Sequence, residues 1–185
     1  DETVLDGKLE RTLDPDLDAY RASGAAHGVT VRRGVELETD QGLVLAVMPA
    51  GETLEEGFAP KSGEVYAARA AVDAVEGAGG VTVALRPYDR DVPHPMGDHL
   101  FSLQGLDACE VRSGRAADIA NDLALEAASN LDMPCVGASS ARGTEGLGTA
   151  ATLLRRPVAD EAGLIGLVKE GACWPVAFSD GLPAE

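Results

Sequence analysis

Residues 81–90 read Val-Thr-Val-Ala-Leu-Arg-Pro-Tyr-Asp-Arg, an apolar run that changes to proline and charged residues within one position. A short apolar run bounded by turn signals is typical of a buried β-strand followed by a loop. The same arrangement recurs along the chain and predicts seven strands. They are Val29 to Leu37, Gly42 to Met48, Val81 to Leu85, Ala108 to Val111, Cys135 to Ala138, Ala150 to Leu154 and Cys173 to Phe178.

Three segments between these strands carry apolar residues at steps of three and four and predict helices: Ser62 to Glu76, Ala116 to Asn130 and Asp160 to Glu170. Strands that alternate with helices favour a parallel α/β sheet. We therefore predict a closed or nearly closed parallel barrel with its helices outside. Residues 1–28 form a lead-in with a helix, residues 29–178 one α/β domain, and residues 179–185 a tail.

Composition restricts the classes of partner. Asp and Glu outnumber Lys and Arg by 31 to 15, which gives a net charge of −16. Such a field repels phosphate backbones and anionic membrane surfaces, so we expect neither nucleic acid nor membrane as a partner. No apolar run approaches the length of about twenty residues that a membrane-spanning helix needs. The three cysteines, an odd number without CxxC spacing, argue against disulfides and zinc knuckles and indicate a cytoplasmic setting.

Four short segments lie at the ends of predicted strands, where a barrel presents its reactive residues. They are Gly34-Val35-Glu36, Gln41-Gly42-Leu43, Arg86-Pro87 and Ser139-Ser140-Ala141-Arg142. In their order they resemble the Gly-Val-Glu, Gly-His, His-Pro and Ser-Asp-Ala-His signatures of the PHP (polymerase and histidinol phosphatase) family. The stretch LDACEVRSGR at residues 106–115 is similar to that family's strand ending in Glu-Val.

The resemblance covers residues 29–178 and implies a PHP-like distorted TIM-type (β/α) barrel of mostly parallel strands. It also implies a site in which His and carboxylate ligands hold divalent Zn, Mn or Fe and activate water for phosphoester hydrolysis. The family's His-x-His and Thr-Asp-His strands have no counterpart, so the barrel is expected to be incomplete at the N-terminus. Another protein chain, or an upstream segment, would then complete it.

Of five aligned ligand positions, only Glu36 keeps a residue type that binds metal. Leu43 occupies the position of a His and cannot bind a metal, and Ser140 occupies the position of an Asp. Arg86 and Arg142 stand for the other two His residues, and a guanidinium stays protonated and offers only donors. The sequence therefore predicts degenerate metal-site positions, no cofactor and no catalytic residue.

The two arginines put permanent positive charge where the metals would supply it. If Glu36 lay beside Arg86 or Arg142, the pair would avoid the cost of an isolated buried charge. Two outcomes are open. Internal carboxylates neutralise both arginines and the pocket is structural, or one arginine remains free to bind a phosphate or carboxylate.

A second route to a metal site uses His94, Asp98 and His99, which lie within six residues of one another, together with Glu36. Their residue types suit a metal. The alternative is a surface loop shaped by Pro93 and Pro95 and followed by a helix.

Three functions from different classes follow. The first is a catalytically inactive PHP-like domain that serves as a structural or regulatory protein-interaction module. The second is a metal-dependent phosphoesterase that hydrolyses a nucleotide or sugar phosphate. The third is an anion or phosphate sensor that uses Arg86 and Arg142.

Overall fold

The computed structural model describes residues 17–52, 54, 65–141 and 144–178. Within them lie seven strands, each overlapping one predicted run: β1 Val35–Thr39, β2 Gly42–Val47, β3 Val81–Leu85, β4 Ala108–Ser113, β5 Cys135–Ala138, β6 Ala150–Leu154 and β7 Cys173–Ala177. Four α-helices accompany them, α1 Leu17–Ala26, α2 Ala68–Gly77, α3 Asp118–Asn130 and α4 Glu161–Lys169, with short 3₁₀ helices at Gly97–Phe101 and Thr144–Gly146.

The predicted barrel is wrong. In the described part of the chain, the first five strands form an open sheet in the order β1-β2-β3-β4-β5, and the last two form a separate antiparallel pair. β1, β2 and β3 pair antiparallel, whereas β3, β4 and β5 pair parallel. The fold is a mixed α/β fold in which only β3, β4 and β5 keep the parallel arrangement that the sequence predicts.

A tight turn between β1 and β2 explains the first departure. Only Asp40 and Gln41 separate the two strands, and a connection this short joins antiparallel strands, since a parallel crossover needs a dozen or more residues. The Thr39 hydroxyl fixes the turn by donating to the Gly42 carbonyl at 2.6 Å while accepting from the Gln41 N–H at 3.2 Å. The short spacing between the two apolar runs in the sequence already indicated that β1 and β2 pair antiparallel.

The five-stranded sheet buries an aliphatic core on both faces. On one face, β-strand residues such as Val44 and Val111 pack with α2 and α3. Ala124 and Ala128 are small enough to bring α3 close to the strands. On the other face, residues including Val83 pack with α4. Both faces of the central strands are therefore closed to water, so any polar side chain there needs a partner.

The second sheet, β6 and β7, packs beside β5. The Thr152 hydroxyl donates to the Gly137 carbonyl at 2.7 Å and accepts from the Gly137 N–H at 3.0 Å. These bonds occupy backbone groups of the edge strand β5 that would otherwise invite pairing with another chain.

Element ends follow local chemistry. Asp160 caps α4, because its carboxylate accepts the Gly163 N–H at 2.8 Å. Residues 29–34, predicted as part of a strand, form no strand, and Val29 is exposed. The predicted start of the second helix at Ser62 lies outside the described residues, and α2 begins at Ala68. The predicted tail 179–185 also lies outside them, and the three-part division of the chain stays a prediction.

Each helix of the described residues is too short or too polar to cross a bilayer. The three cysteines are free thiols, with Cys109 and Cys173 buried.

Candidate functional site

The ends of β3, β4 and β5 meet at one edge of the sheet. These strands run parallel, so their carboxyl ends, and the loops that follow them, point the same way. β2 runs antiparallel to β3, so the beginning of β2 reaches the same edge, where Leu43 is paired with Leu85. This edge therefore carries three of the predicted positions, namely Leu43, Arg86 just after β3, and Ser140 just after β5.

A buried carboxylate, Glu110 on β4, connects two of those positions. Its side chain is 2% exposed. One oxygen, Oε2, accepts the backbone N–H of Arg86 at 3.1 Å, and the other, Oε1, accepts the hydroxyl of Ser140 at 3.3 Å. The Ser140 hydroxyl is in turn 3.1 Å from that of Ser113. Glu110 thus joins the end of β3 to the end of β5.

Burial dominates the electrostatics of Glu110. Desolvation raises the pKa of the Glu110 carboxyl from its ordinary 4.5 to about 7, against the opposing hydrogen bond and charge of Arg86 and the hydroxyls of Ser140 and Ser113. Each of these partners favours the charged form, but together they do not replace the water that the carboxylate has lost.

The guanidinium of Arg86 is paired with Asp89, three residues further along. Arg86 Nη1 lies 3.2 Å from Asp89 Oδ2, and the two side chains are only 13% and 9% exposed. The second carboxylate oxygen of Asp89 accepts the Asp91 N–H at 3.1 Å. The positive charge that the sequence places here is therefore neutralised within the loop itself.

The backbone at this edge adopts an uncommon conformation. Arg86 and Ser140, both with side chains, have positive φ angles of 43° and 49°. A left-handed residue other than glycine costs energy and persists only where its surroundings hold it. At both residues the surroundings include a hydrogen bond to Glu110.

A residue of α3, Asn121, holds the backbone of Ser113 in place. Asn121 is 5% exposed, and its side-chain amide accepts the Ser113 N–H at 2.9 Å and donates to the Ser113 carbonyl at 3.1 Å. The position of Ser113 is thus fixed by a helix as well as by β4. Ser139 has a structural partner of its own, since its hydroxyl donates to the Ala150 carbonyl at 2.9 Å.

Glu36 lies apart from this network. It is exposed on β1, where it is paired with Leu45, while Leu43 is paired with Glu38. Leu43 itself is 4% exposed and belongs to the apolar interior. The buried acids beside Arg86 are Asp89 and Glu110 rather than Glu36, and Arg142 lies outside the described residues.

The second set of candidate ligands lies in an exposed loop. His94, Asp98 and His99 are all exposed, His94 has a φ of 47°, and Asp98 accepts the Tyr88 hydroxyl at 3.4 Å. Over residues 17–52, 54, 65–141 and 144–178, no three His, Cys, Asp or Glu side chains are grouped so that they could hold a metal ion. With Leu43 buried in apolar surroundings and Arg86 carrying a cation, the described residues do not fit the divalent metals of the resembling family.

Sequence reasoning missed Glu110, Asp89, Ser113 and Asn121. The signal for Glu110 was present, because it lies between Cys109 and Val111 inside a short apolar strand. A charged residue in such a strand is expected to be buried and to need partners. Asn121 gave no comparable signal, since a polar residue in an amphipathic helix is usually exposed.

Comparison with protein families finds one similarity. A family model described as PHP-associated matches residues 118–173, from the start of α3 to the start of β7. The chain is similar to the PHP family over this segment. This confirms the resemblance that the sequence motifs predict, and the matched segment includes two of the degenerate positions, Ser140 and Arg142.

One solved structure shares the fold of this chain. PsfC from Pseudomonas syringae PB-5123 is 19% identical, with a TM-score of 0.67, over 96% of this chain and 72% of PsfC. A candidate metal-dependent phosphoesterase from Bifidobacterium adolescentis is 22% identical, with a TM-score of 0.40, over 63% of this chain and 40% of its own. No curated protein matches the chain. At these identities the first likeness concerns the fold alone.

Proposed function

We propose that this chain is a PHP-like domain without metal-dependent catalysis, serving as a structural or regulatory protein-interaction module. The observation that carries the proposal is the ion pair of Arg86 with Asp89. Arg86 stands where the resembling family has a metal-binding His, and its charge is already balanced by a nearly buried carboxylate at 3.2 Å. A second cation at this point would be repelled by the guanidinium.

The other aligned positions support the same proposal. Leu43 has an apolar, buried side chain. The Ser140 hydroxyl is hydrogen-bonded to Glu110 and Ser113. These contacts suit a pocket that is closed by internal hydrogen bonds, since each polar group has a partner from the chain itself.

The interaction role has support on the second sheet. Leu153 and Trp174 are paired directly across β6 and β7, and they are 58% and 47% exposed. Exposed Arg155 and Arg156 follow β6 and share Glu170 as their acidic partner. Large apolar side chains that lie together in water, with a charged rim, are typical of contact surfaces for other proteins.

A phosphatase assay tests the catalytic part. Purified protein incubated with Mn²⁺ or Zn²⁺ and p-nitrophenyl phosphate should release no phosphate above the rate of the buffer with metal. Metal-dependent release that disappears in the Glu36→Gln or His99→Ala variant would contradict the proposal and favour a phosphoesterase.

A calorimetric titration with inorganic phosphate, without metal, tests the remaining alternative, an anion sensor. We expect no heat of binding, because the Arg86 guanidinium is paired. Heat that is lost in Arg86→Gln or Arg142→Gln would favour an anion sensor. The matched control is Arg69→Gln, which removes an exposed guanidinium on α2.

A further inference from the structure

Three side chains form a continuous hydrogen-bonded chain across the carboxyl ends of the parallel strands. It runs from Glu110 Oε1 to the Ser140 hydroxyl at 3.3 Å, and from there to the Ser113 hydroxyl at 3.1 Å. The other oxygen of Glu110 holds the Arg86 N–H at 3.1 Å. The two oxygens of one carboxyl group therefore hold two different loops.

We propose that Glu110, Ser140 and Ser113 form a proton-responsive relay in which protonation of Glu110 reverses both hydroxyl hydrogen bonds and loosens the loop after β3. This proposal does not depend on the proposed function, because the relay consists of internal contacts.

The direction of each bond follows from counting protons. A carboxylate has acceptors only, so in the charged form the Ser140 hydroxyl must donate to Glu110 and the Ser113 hydroxyl donates to Ser140. In the neutral form the carboxyl proton sits on Oε1, because Oε2 already faces the Arg86 N–H and two donors would repel. Glu110 then donates to Ser140, which turns its own proton toward Ser113.

Protonation also changes the bond to the backbone. A charged carboxylate is a stronger acceptor than a neutral carboxyl group, so the Arg86 N–H bond weakens when Glu110 takes up a proton. Arg86 has a φ of 43°, a conformation that needs support from its surroundings. The proton state of Glu110 is therefore transmitted to the turn that holds the Arg86–Asp89 pair.

Among the described residues, the charged and titratable neighbours of Glu110 allow both its charged and its neutral form. From the end of β3, the Arg86 guanidinium favours the carboxylate, although Asp89 shares it. On β4 itself, burial raises the pKa of the Cys109 thiol to about 12, so this thiol stays neutral. On β5, burial also raises the pKa of the Cys135 thiol. Burial of Glu110 opposes its charge, and the resulting pKa of about 7 places the change in the neutral range.

Nuclear magnetic resonance tests the relay on the full chain. The side-chain carboxyl carbon of Glu110 and the amide of Arg86 are followed from about pH 4 to about pH 9, a range that brackets a glutamate of either ordinary or raised pKa. We expect both signals to titrate with one midpoint near 7, the Glu110 pKa. Ser140→Ala should move that midpoint upward, because it removes a hydroxyl that favours the charged form.

Two further variants sharpen the result. Ser113→Ala should move the midpoint in the same direction by less, and it replaces Ser140→Ala if that variant does not fold. Ser129→Ala is the matched control, since this exposed serine on α3 bonds only to the Leu125 carbonyl, and it should leave the midpoint unchanged. A Glu110 midpoint near the ordinary value of 4.5 would overturn the proposal. So would an Arg86 amide that does not follow Glu110, or a midpoint that is indifferent to both relay serines.

Discussion

Replacement of Asp89 by Ala is expected to lower the free energy of unfolding by about 3 kcal/mol, because it leaves the Arg86 guanidinium nearly buried and without its counter-charge. The side chains of the pair are 13% and 9% exposed, so water replaces little of the lost interaction. The variant also removes the acceptor of the Asp91 N–H. Urea unfolding of the wild type and the variant, followed by circular dichroism, measures the difference.

Two controls separate this effect from an ordinary loss of charge. Asp89→Asn keeps an acceptor for the Asp91 N–H but not the charge, and should give an intermediate loss. Asp73→Ala breaks the exposed pair of Arg69 and Asp73, whose side chains are 54% and 51% exposed, and should cost less than about 1 kcal/mol. An Asp89→Ala variant as stable as Asp73→Ala would show that the Arg86 charge is not held by Asp89.

The second large effect is a pH dependence of stability that Glu110 controls. Its pKa is raised in the folded state, from 4.5 to about 7, so the folded protein keeps a proton that the unfolded chain has already lost. Stability from this group is therefore complete below about pH 4.5 and declines as the pH rises to about 7, by up to about 3 kcal/mol in total. Above that range the contribution is constant.

Glu110→Gln isolates this contribution from the self-repulsion of a chain with a net charge of −16. Glutamine has nearly the shape of the neutral carboxyl group and can accept from the Arg86 N–H while donating to Ser140. We expect the variant to match the wild type at acid pH and to exceed its stability at pH 8 by up to about 3 kcal/mol. Parallel stability curves for the two proteins, measured by urea unfolding across this range, would contradict the raised pKa.

Local patterns predicted the elements well. The apolar runs located all seven strands of the described residues, since a buried strand needs consecutive apolar residues whichever way its neighbour runs. Strand direction was predicted correctly only for β3, β4 and β5, because alternation of strands and helices was taken to mean mostly parallel pairing. The two-residue turn at Asp40 and Gln41 requires the opposite for β1 and β2.

The candidate site was predicted in part. Motif order brought Leu43, Arg86 and Ser140 to one edge of the sheet, where the structure also places them. The sequence offered Glu36 as a possible partner of Arg86 or Arg142, because the motif contains that acid. The partner of Arg86 in the structure is Asp89, three residues away in the same loop. Motif comparison considers only the positions that the family uses. It therefore did not consider Asp89, which neutralises the charge of Arg86 in this chain.

We expect that the edge formed by Leu43, Arg86 and Ser140 does not bind a divalent metal. Metal content is the most direct measure of it: the purified protein is incubated with an excess of Zn²⁺ or Mn²⁺, dialysed, and analysed for bound metal by mass spectrometry of the elements. The account predicts much less than one metal ion per chain, unchanged in the Ser140→Ala variant. One or more tightly bound ions per chain, lost when Glu36 or Glu110 is replaced by Gln, would contradict it.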